Sequence, residues 1–217
     1  MKIYNLASIT LTLFFLIFFK KIENFSINVG LSWTISKISP YFISICCGIL
    51  LLINLKKIEF KNKIIKSITC TFALIIPFGI SFGLHPIYQG DFSKSGQSTV
   101  INASPNDIKK DGLTVVSIPN CPFCFEAISK LKIIKHRNPK LHIEFIVCTK
   151  NKKDILNYIK ESEGLFNIRT AENPDSLAKT AGYKFPVFIK VKDKKPTYIW
   201  SNDQFGVRAI DMLEAEL

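Results

Sequence analysis

The chain has 217 residues, 47% of them hydrophobic, and its 29 Lys and Arg outweigh 17 Asp and Glu to leave a formal net charge of +12. That length allows one or two domains. The basic excess sits in lysines beside apolar runs and on solvated stretches, with no nucleic-acid-binding motif beside it, so no nucleic-acid partner is expected.

Three early runs are almost free of charge: Tyr4 to Phe19, Pro40 to Leu55 and Ser67 to Leu84. They predict an N-terminal α-helical transmembrane region, residues 1–84, with spans at about 4–19, 40–55 and 67–84. A helix of about 16 residues covers roughly 24 Å, short of the ~30 Å hydrocarbon core. Lys20, Lys21, Lys56 and Lys57 can snorkel to the interface, and Trp33, Tyr41 and Tyr88 suit the headgroup zone. Lys2 before the first run suits a signal peptide, yet Phe19 is followed by Lys20-Lys21-Ile22-Glu23 and no small-residue cleavage site, so a retained helix is expected.

Orientation follows from lysine. The connection from Lys56 to Lys66 carries Lys56, Lys57, Lys61, Lys63 and Lys66 against one acid, Glu59. The positive-inside rule places it in the cytoplasm, and the run ending at Leu84 then delivers everything after it to the outside. Cys46, Cys47 and Cys70 fall within the spans and read as packing residues, on the order of 10 to 15 Å apart in depth and too far for direct exchange. Pro77 reads as a kink.

Residues 85–111, with Pro86, Gly90, Gly96 and Pro105, read as a linker. From Gly112 strands and helices alternate: a strand at Leu113 to Ile118, a helix at Phe125 to Lys135, a strand at Leu141 to Thr149 and a helix at Asp154 to Ser162. Asn173-Pro174 opens a helix over Asp175 to Ala181. Strands at Val187 to Val191 and Thr197 to Trp200, joined by a turn at Asp193 to Pro196, precede a closing helix at Val207 to Leu217. The expected class is an α/β domain over 112–217 with element order βαβα, then α, then ββα.

Between the first of these strands and its helix stands Cys121-Pro122-Phe123-Cys124. With Cys121 at the N-cap and Pro122 at the first helical position, unpaired amides and the helix dipole favour a thiolate at Cys121. Cys124, one turn on and facing the same way, can resolve a mixed disulfide. The expected catalytic pair is Cys121 as attacker and Cys124 as resolver. Half a zinc site, completed by His85, His136 or His142, and an inert structural disulfide are the competing readings of the motif. No second paired motif accompanies it, and no metal or cofactor is expected. Cys148 reads as an inert strand residue, and Glu126 as a solvated first-turn acid.

The strand, the Cys-Pro-Phe-Cys helix start, the ββ hairpin and the Phe185-Pro186-Val187 entry into a strand together resemble the thioredoxin-like superfamily over about residues 112–217. The resemblance implies a central sheet flanked by helices, a cis peptide at Pro186, and substrate contact through Pro122, Phe123, Phe185 and Pro186. Asn120 stands where thioredoxins have Trp, Pro122-Phe123 where they have Gly-Pro, and Val115 and Val116 in the strand that carries their buried Asp. The glutaredoxin Gly-Gly turn is also missing, with Lys192 to Pro196 in its place. A membrane-anchored Dsb or thioredoxin type fits better. The implied protein is integral to a bacterial inner membrane, has its C-terminal domain on the periplasmic side, and exchanges disulfides with protein thiol substrates and a redox partner protein. A non-catalytic scaffold and a cytoplasm-facing glutaredoxin-like reductase are the alternatives.

Overall fold

The computed structural model describes residues 3–92, 108 and 110–215. The chain divides into two compact units, Met1–Tyr88 and Gln89–Leu217.

The first unit is helical: α1 (Ile3–Ile17), α2 (Phe19–Asn28), α3 (Trp33–Lys56) and α4 (Lys63–Leu84). Two of these, α3 with 24 residues and α4 with 22, are long and apolar enough to cross a membrane. At 1.5 Å per residue they reach about 36 and 33 Å, whereas the 15 residues of α1 reach about 22 Å. Three equivalent spans are therefore corrected to two long helices and a shorter apolar one. The second also begins seven residues earlier than Pro40 suggested. Ser32 caps it by accepting from Ile35 N at 3.2 Å, and Pro40 is accommodated inside the helix. The short helix α2 was not expected.

These helices are inverted relative to a soluble bundle. Phe42, Ile53, Phe72 and Ile75 are exposed, while Ser44, Cys47, Cys70 and Ser81 are buried. The Ser44 and Ser81 hydroxyls lie 2.7 Å apart, and each also bonds the carbonyl four residues back, that of Pro40 or Pro77. Gly48 lets α3 approach α4 closely, because a Cβ there would lie 2.5 Å from the Leu74 carbonyl oxygen. Phe19, Trp33 and Tyr41 are buried as well, but from Ser44 on, α3 and α4 bury small and polar residues and expose large apolar ones, the pattern of helices packed in an apolar solvent.

The second unit is built on a five-stranded mixed sheet. Its strands are β1 (Gly112–Ser117), β2 (Ile143–Val147), β3 (Asn167–Thr170), β4 (Val187–Lys192) and β5 (Lys195–Ser201), in the order β3-β2-β1-β4-β5. β2 runs parallel to β1 and β3 parallel to β2, while β4 and β5 are antiparallel additions. Its α-helices are α5 (Pro122–Arg137), α6 (Leu156–Ser162), α7 (Pro174–Thr180) and α8 (Val207–Ala215).

Side chains of β1 alternate between two cores. Val116 packs with Ile146, Val187 and Ile189 against Leu177 of α7, and the buried Ile108 joins that cluster. Val115 pairs with Phe145 and Phe188 on the other face. There the rings of Phe188 and Phe205 stack at 3.8 Å, and Arg137 of α5 pairs with Glu214 of α8 at 3.2 Å. Helices therefore cover both faces of a central sheet.

Three features depart from the sequence reading. β3 is an extra strand between α6 and α7, with Ile168 its one large apolar residue. The hairpin between β4 and β5 turns on only Asp193 and Lys194, both at positive φ, so Pro196 belongs to the edge strand β5. Gln89–Phe92 forms a 3-10 turn that packs against α8, so part of the expected linker 85–111 belongs to the second unit. A Cβ on Gly90 would meet the Asp203 backbone, and one on Gly206 the Gly90 carbonyl. Residues 93–107 and 109 of that expected linker lie outside the described residues.

Candidate functional site

β1 ends at Ser117, and the chain turns through Ile118, Pro119 and Asn120 into α5. Proline restricts the second position of that turn, and Asn120 occupies the left-handed region at φ 54°, which asparagine tolerates better than most residues. The turn leaves Cys121 extended, at φ −84° and ψ 111°, as the N-cap of α5, with Pro122 in its first turn. Phe125 N donates to the Cys121 carbonyl at 3.2 Å, and Cys124 N donates to Cys121 Sγ at 3.2 Å. The sulfur thus takes the place that a Ser or Asp oxygen takes at other helix starts.

Cys121 and Cys124 are joined as a disulfide with Cα atoms 5.2 Å apart. Cys124 is wholly buried and Cys121 is 6% exposed, so Cys121 is the one of the pair with a face to solvent. At the far end of α5, Lys135, His136 and Arg137 complement the negative pole of the helix.

The other expected contact residues are placed less uniformly. Pro122 is exposed, and Phe123, directly after it, is 59% exposed for so large an apolar side chain. The Phe185–Pro186 peptide is cis, Pro186 is buried, and Phe185 is half-buried against the α7-side core. Val187 pairs antiparallel with Val116, which brings the Phe185–Pro186 step to the same end of the sheet as the Cys121 turn.

One residue at this site escaped the sequence reading. Tyr158 of α6 is fully buried, and its hydroxyl donates to Ile118 O at 2.7 Å. Burial pushes its pKa up from the ordinary tyrosine value, while the Ser117 side chain and the Cys121 backbone beside the hydroxyl pull it part of the way down. Ser117 Oγ is itself buried and makes no hydrogen bond of normal geometry. Nothing in the residues around Tyr158 marks this role, because its partners lie 40 positions back in the chain.

Cys148 follows β2 and is half-buried against the α7-side core, and Glu126 is exposed. The Nε2 atom of His142 is buried with no hydrogen-bond partner. Among the described residues no three His, Cys, Asp or Glu side chains gather in a metal-binding group.

No protein-family model matches the chain, and no curated protein matches it at a significant level. Among solved structures it is similar to a secreted Mycobacterium tuberculosis disulfide oxidoreductase homologous to E. coli DsbE, at 14% identity over 49% of this chain and 82% of that one, with a TM-score of 0.38.

Proposed function

We propose that the protein is a membrane-anchored thiol-disulfide oxidoreductase of thioredoxin-like type that acts on protein thiols outside the cytoplasm. The observation that carries this reading is the Cys121 sulfur at the N-cap of α5, bonded by Cys124 N–H and joined to Cys124 itself. A thiolate there would receive a charge-assisted bond and the positive end of the helix dipole, the two influences that make a cysteine a good nucleophile and leaving group at neutral pH.

In the reducing direction the Cys121 thiolate attacks one sulfur of a substrate disulfide, that S–S bond breaks, and the first substrate thiolate leaves. Cys124, having lost its proton, then attacks Cys121 Sγ. The intermolecular bond breaks, the second substrate thiolate leaves, and two electrons have passed from the dithiol to the substrate. The oxidising direction runs the same steps backwards. A redox partner protein resets the pair, and the exchange itself requires no metal or organic cofactor. Phe123, beside Pro122, and the Phe185–Pro186 step are the surfaces offered to the substrate chain.

Two observations support anchoring in a membrane: the length of α3 and α4, and their apolar exterior over a polar and small-residue interior. The five lysines between Lys56 and Lys66 favour a cytoplasmic connection, with the C-terminal unit on the periplasmic side of a bacterial inner membrane. In intact spheroplasts a membrane-impermeant thiol reagent is expected to label reduced Cys121, and Cys121→Ser is expected to abolish exchange with a disulfide-bonded peptide. Full exchange by Cys121→Ser would overturn the enzymatic reading, and protection of Cys121 until the membrane is opened would reverse the orientation.

A further inference from the structure

The turn that presents Cys121 is closed by a side chain from a different helix. Tyr158 Oη donates to the carbonyl of Ile118 at 2.7 Å. Ile118 is the first residue of the turn that leads to Cys121 at the start of α5. One buried hydroxyl therefore holds the start of that turn. The ring that carries it is fixed, stacked on Phe125 at 4.6 Å and against Phe145 at 6.2 Å. Phe125 follows Cys124 directly, so one tyrosine grips the approach to the helix and its first turn together.

We propose that Tyr158 is a positioning residue for the thiol chemistry of Cys121, keeping the sulfur at the N-cap where Cys124 N–H reaches it. The inference rests on the exchange reading above and adds a residue to it. In the reduced protein the thiolate is the form that gains most from the cap, because its hydrogen bond is charge-assisted. Without the hydroxyl, the Ile118 carbonyl loses a partner, the turn loosens, and the sulfur leaves the cap for part of the time. The thiol then gives up its proton less readily. Tyr158 does not accept that proton, since burial keeps the hydroxyl protonated and able to donate.

The test is the pH dependence of iodoacetamide alkylation at Cys121, read by peptide mass spectrometry on the reduced full-length protein in detergent, with a thermal melt on each sample. Tyr158→Phe keeps the ring contacts and removes only the hydroxyl. Its alkylation midpoint is expected to move to higher pH, with a rate below the midpoint about two- to tenfold lower, the size of one hydrogen bond, and an unchanged plateau at high pH. Phe166→Leu, which thins the stacking on Phe145 without touching the hydroxyl, is expected to change the melt and leave the midpoint in place. A wild-type midpoint below ~8.5 that Tyr158→Phe retains, or that Phe166→Leu shifts equally, overturns the inference alone. A wild-type midpoint at ~8.5 overturns the exchange reading and this inference with it.

Discussion

Replacing Cys124 with Ser is expected to leave the protein caught in covalent complexes with its substrates. The two Cα atoms are 5.2 Å apart, inside the window of about 4.4 to 6.8 Å in which a disulfide closes without backbone movement. Both residues belong to the same helical turn, so the resolving thiol has an effective concentration at least that of a short flexible tether, on the order of 1 mM. Well-oriented groups reach far higher values, up to about 10⁵ M and beyond. With external thiol held at about 0.1 mM, removal of Cys124 should lengthen the life of a mixed disulfide at least roughly tenfold. The burial of Cys121, 6% exposed, slows outside thiols further. The assay mixes reduced full-length Cys124→Ser with a disulfide-bonded peptide, quenches with N-ethylmaleimide and follows the joined species on non-reducing gels. Decay of that species at the wild-type rate would refute the resolving role. Its formation by the Cys121→Ser/Cys124→Ser double variant would refute the attacking role and point to Cys148 or a membrane-unit cysteine.

Two further outcomes follow from burial and charge. Glu144 is 1% exposed and accepts from Asn167 Nδ2 at 2.7 Å and Arg169 Nε at 3.1 Å, so Arg169→Ala leaves a buried carboxylate with Asn167 and the largely exposed Lys110 at 3.7 Å, and should cost about 3 kcal/mol. Glu144→Ala leaves only a partly exposed arginine and should cost about 1 to 2 kcal/mol. Denaturation followed at Trp200 in a Trp33→Phe background checks this, and equal losses would contradict it. The raised pKa of Tyr158 stabilises the fold fully below the unfolded tyrosine value of about 10, and that contribution is lost as pH rises through the folded value. Alkaline unfolding of Tyr158→Phe should lack this component, and superimposable wild-type and variant curves above pH ~10 would contradict it.

Much of the candidate site was legible because its causes are local. A cysteine before a proline and an amphipathic stretch predicts an N-cap within four residues, and the apolar run before it predicts the strand that delivers it. Boundaries were less legible where one interaction outweighs a propensity. Pro40 argued for a helix start, but Ser32 caps the helix eight residues before that proline, and a helix tolerates the missing donor there. β3 was hidden because an edge strand with Ile168 as its one large apolar residue shows no alternation, and its attachment comes from Glu144 on the neighbouring strand.

The sequence alone thus determined three apolar runs, two of which lie in long helices, the position of the cysteine pair and the sulfur at a helix start, since each depends on residues within one turn or one run of the chain. Proline at 186 only permits a cis peptide. The cis state belongs to the folded chain, and the step's place at the Cys121 end of the sheet follows from the pairing of Val187 with Val116. Tyr158 is the clearest case of what tertiary structure decided. A tyrosine in a short helix has no local reason to bond a turn 40 residues earlier, and only the packing of α6 over the sheet brings its hydroxyl to the Ile118 carbonyl.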